Sequence, residues 1–238
     1  MKNIAIFGSS GAIGHAVAEQ LSEENPDAAI HAFSRQEPHM KLRGVNYHCM
    51  DYQEEDAIEA AAASATSGKP LDMVIVATGL LHEKNMRPEK SLRELSAKKF
   101  QRLFEVNTVV PAMIAKHFLP RLNTDTTSFF GFLSARAGSI SDNQMGGWYA
   151  YRAAKAALNM IIKNAAIEIS RRNKKAVIVG LYPGMVDSEL SKPFQRGVPA
   201  EKIFSPSFST QKLISVMASL TPEQSGRFFD WDGQEVLP

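Results

Sequence analysis

The chain of 238 residues carries one cysteine, Cys49, so no internal disulfide can form. An oxidising compartment is therefore not required. Cys49 falls in an apolar run, Val45 to Met50, and is expected to be a buried strand residue rather than a nucleophile. Six histidines show no metal-ligand spacing, and with a lone cysteine a structural zinc site is not expected. No apolar run reaches the length of a membrane span. The first such run breaks at Gly8 and has no signal-peptide core, so the expected location is the cytoplasm. Excess charge of either sign is missing too: 27 basic residues face 25 acidic ones, a net charge of +2. That balance points away from nucleic-acid and membrane partners. No Gly-x-Ser-x-Gly elbow is found, so a hydrolase is not expected. The ten methionines are read as core filling. Arg171 to Lys175 is read as a basic helix end rather than a nucleic-acid patch.

What is present is a regular alternation. Asn3 to Phe7 is a short apolar run bounded by glycine, the mark of a strand buried on both faces. Ile13, Val17 and Leu21 then recur at helical spacing until Asn25-Pro26. Further strands are expected at 28–33, 45–51, 71–76, 127–133, 176–182 and 226–231. Helices are expected at 54–66, 98–118, 149–172 and 212–220. The stretch 34–44 is too short and polar for a full crossover helix, and 185–208 reads as a loop or lid. Strands alternating with helices imply βαβ units in a doubly wound parallel sheet of about seven strands, helices on both faces, over the whole chain as one domain.

Gly8-Ser9-Ser10-Gly11-Ala12-Ile13-Gly14 sits between the first strand and the first helix. A turn this tight needs residues without Cβ clashes, and the backbone must approach a pyrophosphate closely. The helix N-terminus behind it presents unpaired N–H groups and the positive end of its dipole. Gly8, Ser10, Gly11, Ile13 and Gly14 are thus candidate dinucleotide contacts. About 20 residues on, an NAD-binding version of such a unit carries an acid for the ribose 2′-OH. Here that place holds Ser34 and Arg35. An acid would repel a 2′-phosphate, whereas serine can donate to it and arginine can pair with it. NADP(H) is favoured; NAD(H) stays possible, with Glu37 as the alternative acid.

Tyr151 and Lys155 lie four apart on an expected helix, on one face and within reach of each other. A free phenol near pKa 10 holds its proton too tightly for neutral-pH chemistry, and a neighbouring ammonium would lower that value. Such a tyrosine can give a proton to a carbonyl or take one from an alcohol. Tyr149 is the rival, but Ala153 occupies its +4 position.

With these motifs the chain resembles the short-chain dehydrogenase/reductase family, and within it C-factor-like members. The likeness runs over essentially the full chain and includes Gly138-Ser139-Ile140 to Gly146-Gly147-Trp148-Tyr149-Ala150-Tyr151-Arg152. It implies a Rossmann-like fold and a reversible NADP(H)-dependent reduction of a small carbonyl compound to an alcohol. It also implies a homodimer or homotetramer, with Arg227-Phe228-Phe229 as one possible interface. By the same resemblance Asp51 and Tyr52 would lie along the adenine, and Ala77 and Gly79 would line the cofactor. Pro183, Gly184 and Val186 would face the nicotinamide, and Ser188 its phosphate side. Asn107 would open its helix backbone for a water in a relay to Lys155. The chain departs from the family at Ala12, at Val76-Ala77-Thr78-Gly79, and at the serine, whose usual place holds Ala135. Ser134 is taken as the replacement, with Ser139 the alternative. That departure leaves open a second reading, an NADP(H)-binding sensor or signalling protein with little turnover.

Overall fold

The computed structural model of the chain describes residues 1–38 and 40–238. Its strands are β1 (Asn3–Phe7), β2 (Ala29–Ser34), β3 (Val45–Cys49), β4 (Met73–Val76), β5 (Ser128–Leu133), β6 (Ala176–Tyr182), β7 (Met185–Val186), β8 (Ile203–Phe204) and β9 (Phe228–Asp230). Seven of them form one parallel sheet in the order β3-β2-β1-β4-β5-β6-β9, and β7 pairs with β8 apart from it. Every residue of β1, β4, β5 and β6 is buried, as uninterrupted apolar runs require when both faces are covered.

The helices are α1 (Ala12–Glu24), α2 (Glu55–Ala65), α3 (Ala97–Phe104), α4 (Val110–Phe118), α5 (Tyr149–Ile169) and α6 (Pro206–Ser219). On one face α1 and α6 pack over Ile4, Ile6 and Val179. On the other, α2, α4 and α5 cover Phe7, Phe33 and Phe130. Phe7 stacks on Phe33 with ring centres 4.7 Å apart, and Phe118 meets Phe7 edge-on at 4.7 Å. The strand order reverses between β1 and β4, which opens a crevice at the carboxyl ends of the strands. As expected, no helix lies between β2 and β3 among the described residues.

Four expectations need correcting. The helix expected over 98–118 is α3 and α4 joined by a π-turn at Glu105–Val109. Pro111 explains the break: it has no N–H to return to the Asn107 carbonyl four residues back. The last helix begins six residues earlier than expected, at Pro206, because the Ser205 hydroxyl accepts the Phe208 N–H and proline suits the first turn. Cys49 is exposed, not buried, because β3 is the sheet edge and no helix covers its end. Phe228 and Phe229 are buried, one in each core layer, so they do not form an exposed interface.

Candidate active site

The turn after β1 is shaped by close backbone approach. Gly8 has φ +78°, and a Cβ there would sit 2.8 Å from the Ala77 carbonyl oxygen. A Cβ on Gly14 would lie 2.2 Å from the Gly8 oxygen. The Tyr52 hydroxyl braces the turn: it accepts the Gly8 N–H at 3.0 Å and donates to the Phe33 carbonyl at 2.7 Å. Burial pushes this phenol well above its ordinary value, so it stays protonated as a brace. Gly11 is the N-cap of α1, and no side chain caps that helix. The first N–H groups of α1 thus have neither an intrahelical nor a capping partner among the described residues. This is a cradle that suits a pyrophosphate.

Ser10, Ser34, Arg35 and Tyr52 line this end of the crevice. The Ser34 hydroxyl donates to the Gln36 carbonyl, and the exposed Arg35 guanidinium has no hydrogen bond or ion pair among the described residues. Glu37, the alternative acid, pairs with Lys41 at 3.2 Å. Asp51 does not join the wall: it is exposed, and its carboxylate accepts the Gln53 N–H at 3.0 Å. Thr78 lines the crevice, and its hydroxyl is buried without a partner among the described residues. Such an orphaned group is what a bound nucleotide would satisfy.

The crevice continues into a cleft of about 730 Å³. Ile13, Ala77, Gly79, Pro183, Gly184, Val186 and Ser188 line it, with Ser134, Tyr151 and Lys155 at its centre. Tyr151 and Lys155 project from one face of α5 and are 7% and 3% exposed. Lys155 Nζ lies 6.0 Å from the Tyr151 ring centre and donates to the Leu133 carbonyl at 2.9 Å. The Tyr151 hydroxyl bonds no protein group among the described residues, leaving it for the cleft. Gly138 lets the loop after β5 lie against α5, since a Cβ there would meet the Lys155 backbone at 2.8 Å.

Here the expected direction for the phenol is reversed. Burial pushes Tyr151 up to about 12, and the ammonium beside it does not outweigh that. Tyr151 is a protonated donor at neutral pH. Burial brings Lys155 down from 10.5 to about 8. Between pH 8 and 10.5 the unfolded chain therefore holds a proton on this lysine that the folded chain has released. Folding stability attributable to Lys155 rises across that window, by on the order of 3 kcal/mol, and is level below it. Melting curves of the wild type and Lys155→Met from pH 7 to 10 should show the wild type gaining relative to the variant. A constant offset would contradict the burial of this charge.

Asn107 sits in the π-turn, fully buried. Its side chain accepts the Leu80 N–H at 3.0 Å and donates to the carbonyls of Leu80, at 2.8 Å, and Leu103, at 2.9 Å. A Cβ on Gly79 would be 3.7 Å from Asn107 Oδ1 and 4.0 Å from Lys155 Nζ, so the three meet behind the cleft. From sequence the role of Asn107 rested on the resemblance alone; Pro111, four residues on, is the local signal that could have found this opening. Ser134 is differently placed from what its expected task needs. Its hydroxyl donates to Asn159 Oδ1 at 2.7 Å. Ser139 donates to the Leu237 carbonyl near the C-terminus. Ala135 lines the cleft without a hydroxyl.

The outer wall is aromatic. Trp148 packs edge-on to Tyr151 at 6.2 Å and to Phe194 at 5.0 Å. Phe194 belongs to the segment between β7 and β8, and His82 holds its other side at 5.6 Å. The stretch 185–208, expected as a loop or lid, thus reaches the cleft wall through Leu190 and Phe194. Helical periodicity could not have found Phe194, whose role depends on a neighbour 46 residues away.

A profile for short chain dehydrogenases matches residues 2–198. The chain is 30% identical over 236 residues to 1-hydroxy-2-glutathionyl-2-methyl-3-butene dehydrogenase of Rhodococcus sp. (strain AD45), covering 98% of both proteins. It is 35% identical over 135 residues to the C-signal of Myxococcus xanthus, 57% of this chain and 76% of that one. An NADPH-bound carbonyl reductase from chicken fatty liver superposes with a TM-score of 0.83 at 20% identity, over 100% of this chain and 99% of the other, a likeness of fold. A glycine cradle at the strand-order reversal, a Tyr-x-x-x-Lys pair on the helix facing it, and a profile match over most of the length agree, and the chain belongs to the short-chain dehydrogenase family.

Proposed function

We propose that the protein reduces a carbonyl compound reversibly with NADPH, Tyr151 giving the proton. One observation carries this reading. The Tyr151 side chain is buried, and its hydroxyl bonds no protein group among the described residues, in the cleft that the glycine turn enters. NADPH, when bound, supplies the hydride that reduces the carbonyl carbon. The α1 N-terminus, Gly8, Ser10, Gly11, Ile13 and Gly14 would hold its pyrophosphate, and Thr78 offers it an unpaired hydroxyl. Ser34 and Arg35 would hold the 2′-phosphate. Pro183, Gly184, Val186 and Ser188, which line the cleft, would face the nicotinamide end.

Tyr151 donates its proton to the carbonyl oxygen as negative charge develops there. Lys155 stabilises the phenolate left behind and can return a proton through the Asn107 region, where the helix is open. Ser134 would need to turn away from Asn159 to orient the carbonyl. The wall of Leu81, Trp148, Leu190, Phe194 and Trp231 is apolar. The Arg136 charge is taken up by Asp142 at 2.7 Å and Asp230 at 2.9 Å. A neutral, largely apolar ketone or aldehyde fits this wall. The carbonyl reductase and the dehydrogenase among the similar proteins act on carbonyl or alcohol carbon, in keeping with this.

The direct test titrates NADPH against NADH and then screens a carbonyl panel with the tighter one. Replacing Arg35 with alanine should weaken NADPH binding by about tenfold to 100-fold, the worth of one charge-assisted bond of about 1.5–3 kcal/mol, and leave NADH almost unaffected. Equal losses for both would remove Arg35 from the 2′-phosphate site. The arrangement of Ser134, Ser139 and Ala135 favours one rival, a nucleotide-binding sensor with little turnover, and the likeness to C-signal accords with it. Tight NADPH binding with no turnover across the panel would select that rival.

A further inference from the structure

The helix that carries Tyr151 begins in an unusual way. Gly146, Gly147 and Trp148 have φ of +63°, +65° and +50°, three left-handed residues in succession. For tryptophan this conformation costs about 1–2 kcal/mol, so something must hold it. Trp148 is also the N-cap of α5, and its side chain has no oxygen with which to cap. The first turn of α5, Tyr149 to Tyr151, would leave its N–H groups open within a buried wall.

Glu89 meets both needs. It is completely buried, in the irregular stretch before α3, 59 residues from Trp148. Its backbone carbonyl accepts the Trp148 N–H at 2.5 Å. Its carboxylate Oε2 accepts the Ala150 N–H at 3.3 Å, the contact that a capping side chain normally supplies. The other oxygen, Oε1, is buried without a partner among the described residues. A fully buried carboxylate carrying one open oxygen is expensive, and the positive end of α5 offsets part of that cost. Arg152 clamps the same loop from the far side, its Nε donating to the carbonyls of Gly146 and Gly147 at 3.2 and 3.1 Å.

We infer that Glu89 is a positioning residue, a cap supplied from a distant loop that sets the start of α5. It thereby fixes Tyr151 and the Trp148 ring relative to each other. Neither its sequence context nor the reaction read above assigns it this task. The inference rests on Tyr151 being the proton donor, but its contacts can be tested apart from turnover. What matters is reach: an oxygen must lie where the Ala150 N–H points.

Three variants separate reach from charge. Glu89→Gln keeps the reach and loses the charge. Glu89→Asp keeps the charge and withdraws the oxygen by one methylene. Glu89→Ala loses both. Two readouts are taken on each. The first is hydrogen exchange at amides 148–152, which needs no substrate. The second is kcat and KM with the best carbonyl of the panel, alongside NADPH affinity. Misplacing a reacting group by about 1 Å can cost about 10²-fold. Glu89→Asp and Glu89→Ala should therefore lose tenfold to 100-fold in kcat, while Glu89→Gln stays within about threefold of wild type. NADPH affinity should be unchanged in all three, and exchange at 148–152 should speed up only in the Asp and Ala variants. Should Glu89→Ala fail to fold, the Gln and Asp pair makes the same comparison.

Wild-type exchange at 148–152 in Glu89→Asp, or damage in Glu89→Gln matched by an intact Glu89→Asp, would overturn the inference. A uniform fall in melting temperature with unchanged kcat in every variant would do the same, since Glu89 would then be only structural. If the wild type turns over no carbonyl, the catalytic reading fails on that result alone, and the exchange pattern still decides the cap.

Discussion

Tyr151→Phe should lower carbonyl turnover by about 10³-fold, within the 10²–10⁴ range of a positioned proton donor. Its other properties should barely change, for a structural reason. The hydroxyl bonds no protein group among the described residues, so its removal strands no partner. The ring that remains keeps its edge-on contact with Trp148 and its place among Leu81, Leu103 and Ala154. Melting temperature and NADPH affinity should stay at wild-type values. Stopped-flow turnover, NADPH fluorescence titration and a thermal melt on one preparation make the comparison. Turnover within tenfold of wild type would show that another group delivers the proton. A collapse of NADPH affinity would show that the hydroxyl serves binding instead.

Gly14→Ala should abolish NADPH binding, by at least about 100-fold, and destabilise the fold. A methyl group at Gly14 would sit 2.2 Å from the Gly8 oxygen, 2.8 Å from its carbonyl carbon and 3.0 Å from Ser9 Cα. All three are backbone atoms, so no rotamer change relieves the clash. Either α1 moves away from β1 or the turn unfolds locally, and both disperse the N–H groups that would meet the pyrophosphate. Overpacking of this kind costs about 1–3 kcal/mol. At this chain length that lowers the melting temperature by about 2–4 °C per kcal/mol. Gly11→Ala supplies the graded control. Its methyl group would meet only the Gly8 oxygen, at 3.3 Å, and its stability loss should be small. Undiminished NADPH binding in Gly14→Ala would remove the cradle from the proposed site.

Both expectations depend on burial more than on residue identity. The pairing of Tyr151 with Lys155 could be read from spacing, but the sign of the phenol's shift could not. Spacing shows that an ammonium is near; it does not show that both groups lie inside the protein. Desolvation penalises every charged form, and at this depth it exceeds what the ammonium contributes at the distance observed. Ser134 follows the last residue of β5 and reaches the cleft wall, while its hydroxyl donates to Asn159 on α5, a partner 25 residues away that spacing does not reveal.

Local sequence determined much of this protein. Apolar runs buried on both faces, the helical repeat of Ile13, Val17 and Leu21, and the glycines of the first turn specify strand, helix and cradle through interactions between near neighbours. The parallel sheet, the candidate nucleotide end and the Tyr151–Lys155 pair follow from such patterns, because their periods are those of the backbone itself. Tertiary structure alone decided the rest. Cys49 is exposed because β3 is the last strand on its side, Tyr52 braces Gly8 across 44 residues, and Phe194 closes on Trp148. Glu89 caps a helix that starts 60 residues further along. Each of these rests on which distant groups become neighbours once the sheet is wound, and no local period of the sequence records that.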